Sequence, residues 1–83
     1  MSLTLVGSHL CPDTLYALNQ LCARKVDFTF RNISASLPDL KAYLAVRESE
    51  PAYEAVKAKG SLGIPCFILE DGTVTLELEK VLG

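Results

Sequence analysis

The 83-residue chain has no basic block and no stripe of Lys or Arg: eight basic residues stand against ten acidic ones, for a formal charge of −2. That balance excludes the electrostatic footprint of a nucleic-acid-binding protein and the polybasic surface that holds a protein to anionic lipid. Apolar runs approaching ~20 residues are missing, and so are the basic n-region and long apolar core of a secretory signal, so no membrane span is expected and the chain reads as cytoplasmic. Cysteine is sparse, with three residues widely spaced and odd in number. This fits free thiols in a reducing compartment rather than a disulfide framework. With one histidine and no Cys/His spacing of a zinc site, no metal is expected. Repeats, low-complexity segments and a second composition are absent, so residues 1–83 read as one domain. Its 49% hydrophobic content can furnish a small core.

What is present is a sequence of short, well-punctuated elements. Leu3 to Val6 is an apolar run closed by Gly7-Ser8 and reads as a central strand. From Pro12 to about Lys25, Leu15, Leu18, Leu21 and Cys22 recur at helical spacing, which assigns Cys22 to the core. Val26 to Ile33 alternates with period two, placing Phe28, Phe30 and Asn32 on one face, so strand, helix and strand form a βαβ unit with parallel strands. Ser36 and Asp39 stand at capping-box spacing before a helix whose stripe reads Leu37, Leu40, Leu44 and Tyr43. Ser49-Glu50-Pro51 both breaks that helix and starts another piece, carrying Tyr53 and Val56 and stopping at Gly60. Cys66 to Leu69 and Thr73 to Leu76 flank Asp71-Gly72, the signal of a tight antiparallel hairpin. A last helix is expected from about Leu76 to Leu82.

The stretch that carries chemistry is Gly7-Ser8-His9-Leu10-Cys11-Pro12-Asp13-Thr14. Proline suits the first position of a helix, so Cys11 is the expected N-cap. There the free N–H groups of the first turn and the positive end of the helix dipole favour a thiolate, while Asp13 opposes it. The alternative is a small buried hydrophobe, the commoner fate of a free cysteine. His9 either adds a cation beside Cys11 or is simply solvated. Cys22 lies eleven residues up the same helix, ~16 Å along its axis, too far for a disulfide with Cys11.

The order βαβ, helix, ββα, with Cys11-Pro12-Asp13-Thr14 at the first turn and Gly63-Ile64-Pro65-Cys66-Phe67 entering the third strand, resembles the thioredoxin fold and within it the glutaredoxins. More narrowly, it is similar to small bacterial glutaredoxin-related proteins that pair a Cys-Pro-Asp-x site with a Gly-Ile-Pro-Cys-Phe-x-Leu-Glu-Asp-Gly segment. The resemblance implies an α/β, thioredoxin-like fold with a four-stranded mixed sheet flanked by helices. It also implies a cis peptide at Pro65, with Ile64 and Pro65 presenting backbone to an extended substrate, and Cys11 as nucleophile with Pro12 beside it.

Thr14 stands where a dithiol enzyme has its second cysteine, so the implied chemistry is monothiol. Cys11 attacks a mixed or glutathionylated disulfide and an external thiol, such as glutathione, resolves it. Thr14 either donates its hydroxyl to the Cys11 sulfur or bonds backbone in the first helical turn. Glutathione as co-substrate calls for cations, for which Arg47, Lys57 and especially Lys59 are placed before the Ile64-Pro65 loop. Where glutaredoxins hold glutathione with a Gly-Gly-x-Asp segment, this chain has Leu76-Glu77-Leu78-Glu79. Cys66 is either buried by strand alternation or a resolving thiol. The expected partners are glutathione or a protein thiol or disulfide, and the expected state is a monomer. The alternative of a different class is a non-catalytic binding or redox-sensing module that has kept the fold and lost turnover.

Overall fold

The computed structural model describes residues 3–82. Strand β1 (Leu3–Gly7) is followed by helix α1 (Pro12–Ala23), strand β2 (Phe28–Asn32), helix α2 (Leu37–Ser49), a 3₁₀ turn over Pro51–Tyr53 running into helix α3 (Glu54–Ala58), strands β3 (Cys66–Ile68) and β4 (Val74–Thr75), and helix α4 (Leu78–Leu82). The strands form one mixed sheet in the order β2-β1-β3-β4. β1 runs parallel to β2, with Leu5 opposite Phe30, and antiparallel to β3, with Val6 opposite Cys66. β3 and β4 are the antiparallel arms of the hairpin. Among the described residues no helix is long and apolar enough to cross a membrane.

Alternation along β1 and β3 sends side chains to two cores. Leu3, Leu5 and Phe67 face α1 and α4, where Ala17, Leu21, Leu78, Val81 and Leu82 cover them. Val6 and Cys66 face the divided helix, against Tyr43, Tyr53, Leu40, Val46 and Val56.

The local stop and start signals act as the sequence predicts. Ser36 caps α2 by accepting the Asp39 N–H at 3.3 Å, and the Asp39 carboxylate reaches back to Arg31 and to the Asn32 N–H at 3.0 and 3.1 Å, tying α2 to the end of β2. α2 ends at Ser49, and Pro51 opens the 3₁₀ turn that divides it from α3. At the hairpin, Asp71 Oδ1 accepts the Thr73 N–H at 2.9 Å, which holds its carboxyl below the usual carboxylate range.

Several sequence expectations are corrected. α1 stops at Ala23, two residues early, because Lys25 takes a positive φ of 56° and the Lys25 and Val26 N–H groups turn back to Cys22 and Leu21, a Schellman stop. The buried face of α1 is Thr14, Ala17 and Leu21, so Cys22 is exposed rather than in the core, and Leu15 is 44% exposed. On α2 the inward residues are Leu40, Tyr43 and Val46, whereas Leu37 and Leu44 are 70% and 47% exposed. In both helices part of the expected stripe faces inward, Leu18 and Leu21 on α1 and Leu40 and Tyr43 on α2, while Leu15, Cys22, Leu37 and Leu44 turn outward. The last helix begins at Leu78, after Thr75 Oγ1 accepts the Glu77 N–H at 3.2 Å.

The orientation of α1 has a steric cause at Gly7. A Cβ at this position would lie 2.5 Å from Thr14 Oγ1 and 2.7 Å from its Cγ2. Only the absence of a side chain lets the helix lay its small residues directly on the end of β1. Gly7→Ala is therefore expected to lower unfolding stability by about 1–3 kcal/mol in urea titrations, as overpacking of a close contact does. The same substitution made on a Thr14→Ala background is expected to cost less, and equal losses in the two backgrounds would contradict the contact.

Candidate functional site

The turn from β1 into α1 is built by hydrogen bonds that leave the cysteine sulfur unused. The Cys11 N–H donates to Ser8 O at 3.0 Å, and its C=O accepts the Leu15 N–H at 3.0 Å. Its backbone is extended, at φ −97° and ψ 119°, as an N-cap requires, yet Sγ makes no capping bond. The first-turn N–H groups of α1 therefore point toward the region of a partly exposed thiol without a side-chain acceptor of their own. Ser8 Oγ accepts the Leu10 N–H at 3.0 Å and lies 2.5 Å from Ser34 Oγ. His9 is exposed, and its Nδ1 is 2.9 Å from Asn32 Nδ2, so the ring is held by the end of β2.

Thr14 is fully buried, and its Oγ1 accepts the Ser8 N–H at 3.4 Å. Neither role expected for it is seen as stated: the hydroxyl bonds backbone, but that of Ser8 in the turn before the helix rather than within the first helical turn. Among the described residues, no hydrogen bond joins Thr14 to the Cys11 sulfur.

The second half of the site is the loop entering β3. Register sets Val6 opposite Cys66, so Pro65 precedes β3 at the end of the sheet where β1 gives way to the Cys11 turn. The Ile64–Pro65 peptide bond is cis. Ile64 lies outside the ladder, and its N–H and C=O have no hydrogen-bond partner among the described residues.

Three consecutive carbonyls before Ile64 are held from the divided helix. Arg47 Nη2 donates to Ser61 O at 2.7 Å, the Tyr43 hydroxyl donates to Leu62 O, and the Tyr53 hydroxyl donates to Gly63 O at 2.8 Å. The two tyrosine rings meet edge to face, with centroids 6.3 Å apart. Gly63 has φ +74°, and a side chain there would strike the Tyr53 ring and Val56. Both tyrosines lie in stripes read from the sequence only as apolar. The signal was the phenol itself, because a buried Tyr hydroxyl needs an acceptor.

Between α1, this loop and the start of α4 runs an open groove of about 610 Å³. Asp13, Tyr16, Ile64, Pro65, Glu77 and Glu79 are among its lining residues, whereas Cys11, Pro12 and Lys59 are not. Cys11 and Pro12 lead directly into Asp13 at the groove's end. Lys59, expected to bind substrate, is an exposed residue at the C-terminus of α3 and does not join the groove. Cys66 is 1% exposed beneath the loop, as strand alternation predicts. Burial pushes its thiol up, against the pull of the Tyr53 hydroxyl beside it. Among the described residues no three His, Cys, Asp or Glu side chains converge as metal ligands.

Burial also raises Tyr53 far above the ordinary tyrosine value, and raises Tyr43 in part against Arg47. In the unfolded chain a thiol and a phenol lose their protons near ~8.5 and ~10. Above those values the unfolded state binds fewer protons than the folded one, so stability falls as pH rises. Urea unfolding followed across pH 7 to 11 is expected to show that fall. Tyr53→Phe is expected to make its slope shallower and to cost about 1–3 kcal/mol at neutral pH by leaving Gly63 O without its donor. An unchanged slope would contradict the assignment.

Comparison with known proteins finds no matching family model and no matching solved structure. It does find an uncharacterised protein of Haemophilus influenzae that is 39% identical over 74 residues, spanning 89% of this chain and 86% of that protein. At that identity and coverage, the chain belongs to the same family as the Haemophilus influenzae protein.

Proposed function

We propose that this is a small thiol–disulfide exchange protein of glutaredoxin type, on a thioredoxin-like fold, working through the single thiol of Cys11. The observation that carries this reading is the meeting of two features at one end of the central strands. One is a partly exposed cysteine at the N-terminus of α1, and the other is the cis Ile64–Pro65 bond, where the Ile64 N–H and C=O have no partner among the described residues. An extended disulfide substrate laid along Ile64 gains strand-like hydrogen bonds there and brings its sulfur toward Cys11.

In the forward step the Cys11 sulfur, as thiolate, attacks one sulfur of the substrate disulfide. A new S–S bond forms, the old one breaks, and the departing thiolate takes a proton from solvent. Uncapped N–H groups of the first helical turn supply donors to the negative charge on sulfur. With Thr14 in the fourth position of the motif and Cys66 buried, the mixed disulfide is resolved by an external thiol. Glutathione does not fit that part well: its two carboxylates would enter a groove that Asp13, Glu77 and Glu79 help line and from which Lys59 is absent.

A non-catalytic binding or redox-sensing module is the second reading, favoured by the burial of Thr14 against Gly7 in the place of a resolving thiol. The two readings part in one assay, the reduction of a neutral mixed disulfide between a peptide and 2-mercaptoethanol in excess 2-mercaptoethanol. The proposed exchange predicts that the protein accelerates the reaction, that Cys11→Ser returns it to the rate in buffer, and that Cys22→Ser, an exposed position, leaves it unchanged. A wild-type rate equal to buffer would leave the binding module as the reading.

A further inference from the structure

The groove beside Cys11 is lined by three carboxylates, Asp13, Glu77 and Glu79, and one guanidinium, Arg24. Their distribution is uneven. Arg24 follows Asp13 by eleven residues on α1, which at ~1.5 Å per residue puts it ~16 Å away, at the far end from the thiol. Glu77 is bridged to Lys80 at 3.0 Å, but both side chains are more than 60% exposed, and a pair so exposed to solvent neutralises the local field only weakly. Apart from Gln20, the rest of the lining is largely apolar and includes Tyr16, Ile64, Pro65, Leu76 and Leu82. Tyr16 is 58% exposed there, and Leu10 and Leu62, in the Cys11 turn and in the loop before Ile64, are 73% and 59% exposed.

We infer that the groove takes an extended polypeptide whose reactive cysteine is flanked by Lys or Arg, in preference to glutathione or an acidic peptide. This rests on thiol exchange at Cys11. The peptide backbone pairs with the N–H and C=O of Ile64, its apolar side chains lie against Tyr16 and Leu76, and its cations face Asp13, Glu77 and Glu79 near the thiol. Complementary charge accelerates encounter and selects among peptides that share the same sulfur chemistry. Opposite charge on the substrate sets like against like at the point of attack.

The test uses two peptides identical except that the cysteine is flanked by two lysines in one and two glutamates in the other. Each is supplied as a mixed disulfide with 2-mercaptoethanol. Attack by Cys11 on the peptide sulfur forms the Cys11–peptide disulfide and releases 2-mercaptoethanol, with no net oxidation and no added reductant. Adduct formation is followed by mass spectrometry, with bis(2-hydroxyethyl) disulfide as an uncharged comparison. The lysine peptide is expected to react about tenfold faster than the glutamate peptide at low salt, with the ratio falling toward one at ~0.5 M salt. Glu77→Gln combined with Glu79→Gln is expected to reduce the low-salt ratio. Equal rates for the two peptides, or a faster glutamate peptide, while the uncharged disulfide still modifies Cys11, would overturn the charge preference and leave thiol exchange standing. No adduct with any of the three would overturn both.

Discussion

Three side chains hold three successive carbonyls, and the geometry of the site follows from it. Arg47, Tyr43 and Tyr53 donate to Ser61, Leu62 and Gly63, so the segment entering β3 has its acceptors satisfied from one side, by residues of the divided helix. The next residue, Ile64, lines the groove, and its own N–H and C=O have no partner among the described residues. Backbone groups left open at a groove are available to an incoming chain only if the loop that carries them keeps its position. The break near Pro51 serves the same arrangement, since it lets Tyr43 and Tyr53, on two helical pieces, meet edge to face beneath one loop.

The sheet register then joins this loop to the cysteine. Val6 opposite Cys66 sets the end of β1 beside the start of β3, and the Ser8 to Cys11 turn, pinned to Asn32 and Ser34, carries the thiol just past that end. Gly7 lets α1 come down on β1 through Thr14 and Ala17, which fixes where the helix N-terminus points. Thr14, three residues after Cys11, is thereby spent on packing. The site region has one partly exposed sulfur in the turn, one buried sulfur in the core, and a groove that Asp13, Glu77 and Glu79 help line.

Features with local causes were legible in the sequence: the N-cap before Pro12, the Ser36 and Asp39 cap, the break at Pro51 and the Asp71-Gly72 hairpin. The strand order was not legible: the βαβ unit and the hairpin leave open which of their strands meet, and the structure sets β1 beside β3. The phase of the helices was not legible. Leucine spacing reports that a stripe exists, but its direction depends on which residues are small enough to approach the sheet, and Thr14 and Ala17 outrank Leu15 and Cys22 for that reason. The carbonyl clamp was hidden because Tyr43 and Tyr53 count as apolar in a periodicity and reveal their hydroxyl partners only in three dimensions. Lys59 was read from its nearness in sequence to Ile64, whereas the helix end that carries it leaves the groove to residues from α1 and the start of α4.

The proposed exchange requires Cys11 and Ile64 to belong to one site. Amide hydrogen exchange of Ile64, measured by NMR in the free protein and in a Cys11–peptide mixed disulfide, tests it most directly. The Ile64 N–H, without a partner among the described residues of the free chain, is expected to become protected in the adduct, with shift changes at Tyr16, Gly63 and Leu76 around the groove. Exchange at Ile64 unchanged from the free protein, with perturbations confined to residues 8–14, would contradict it.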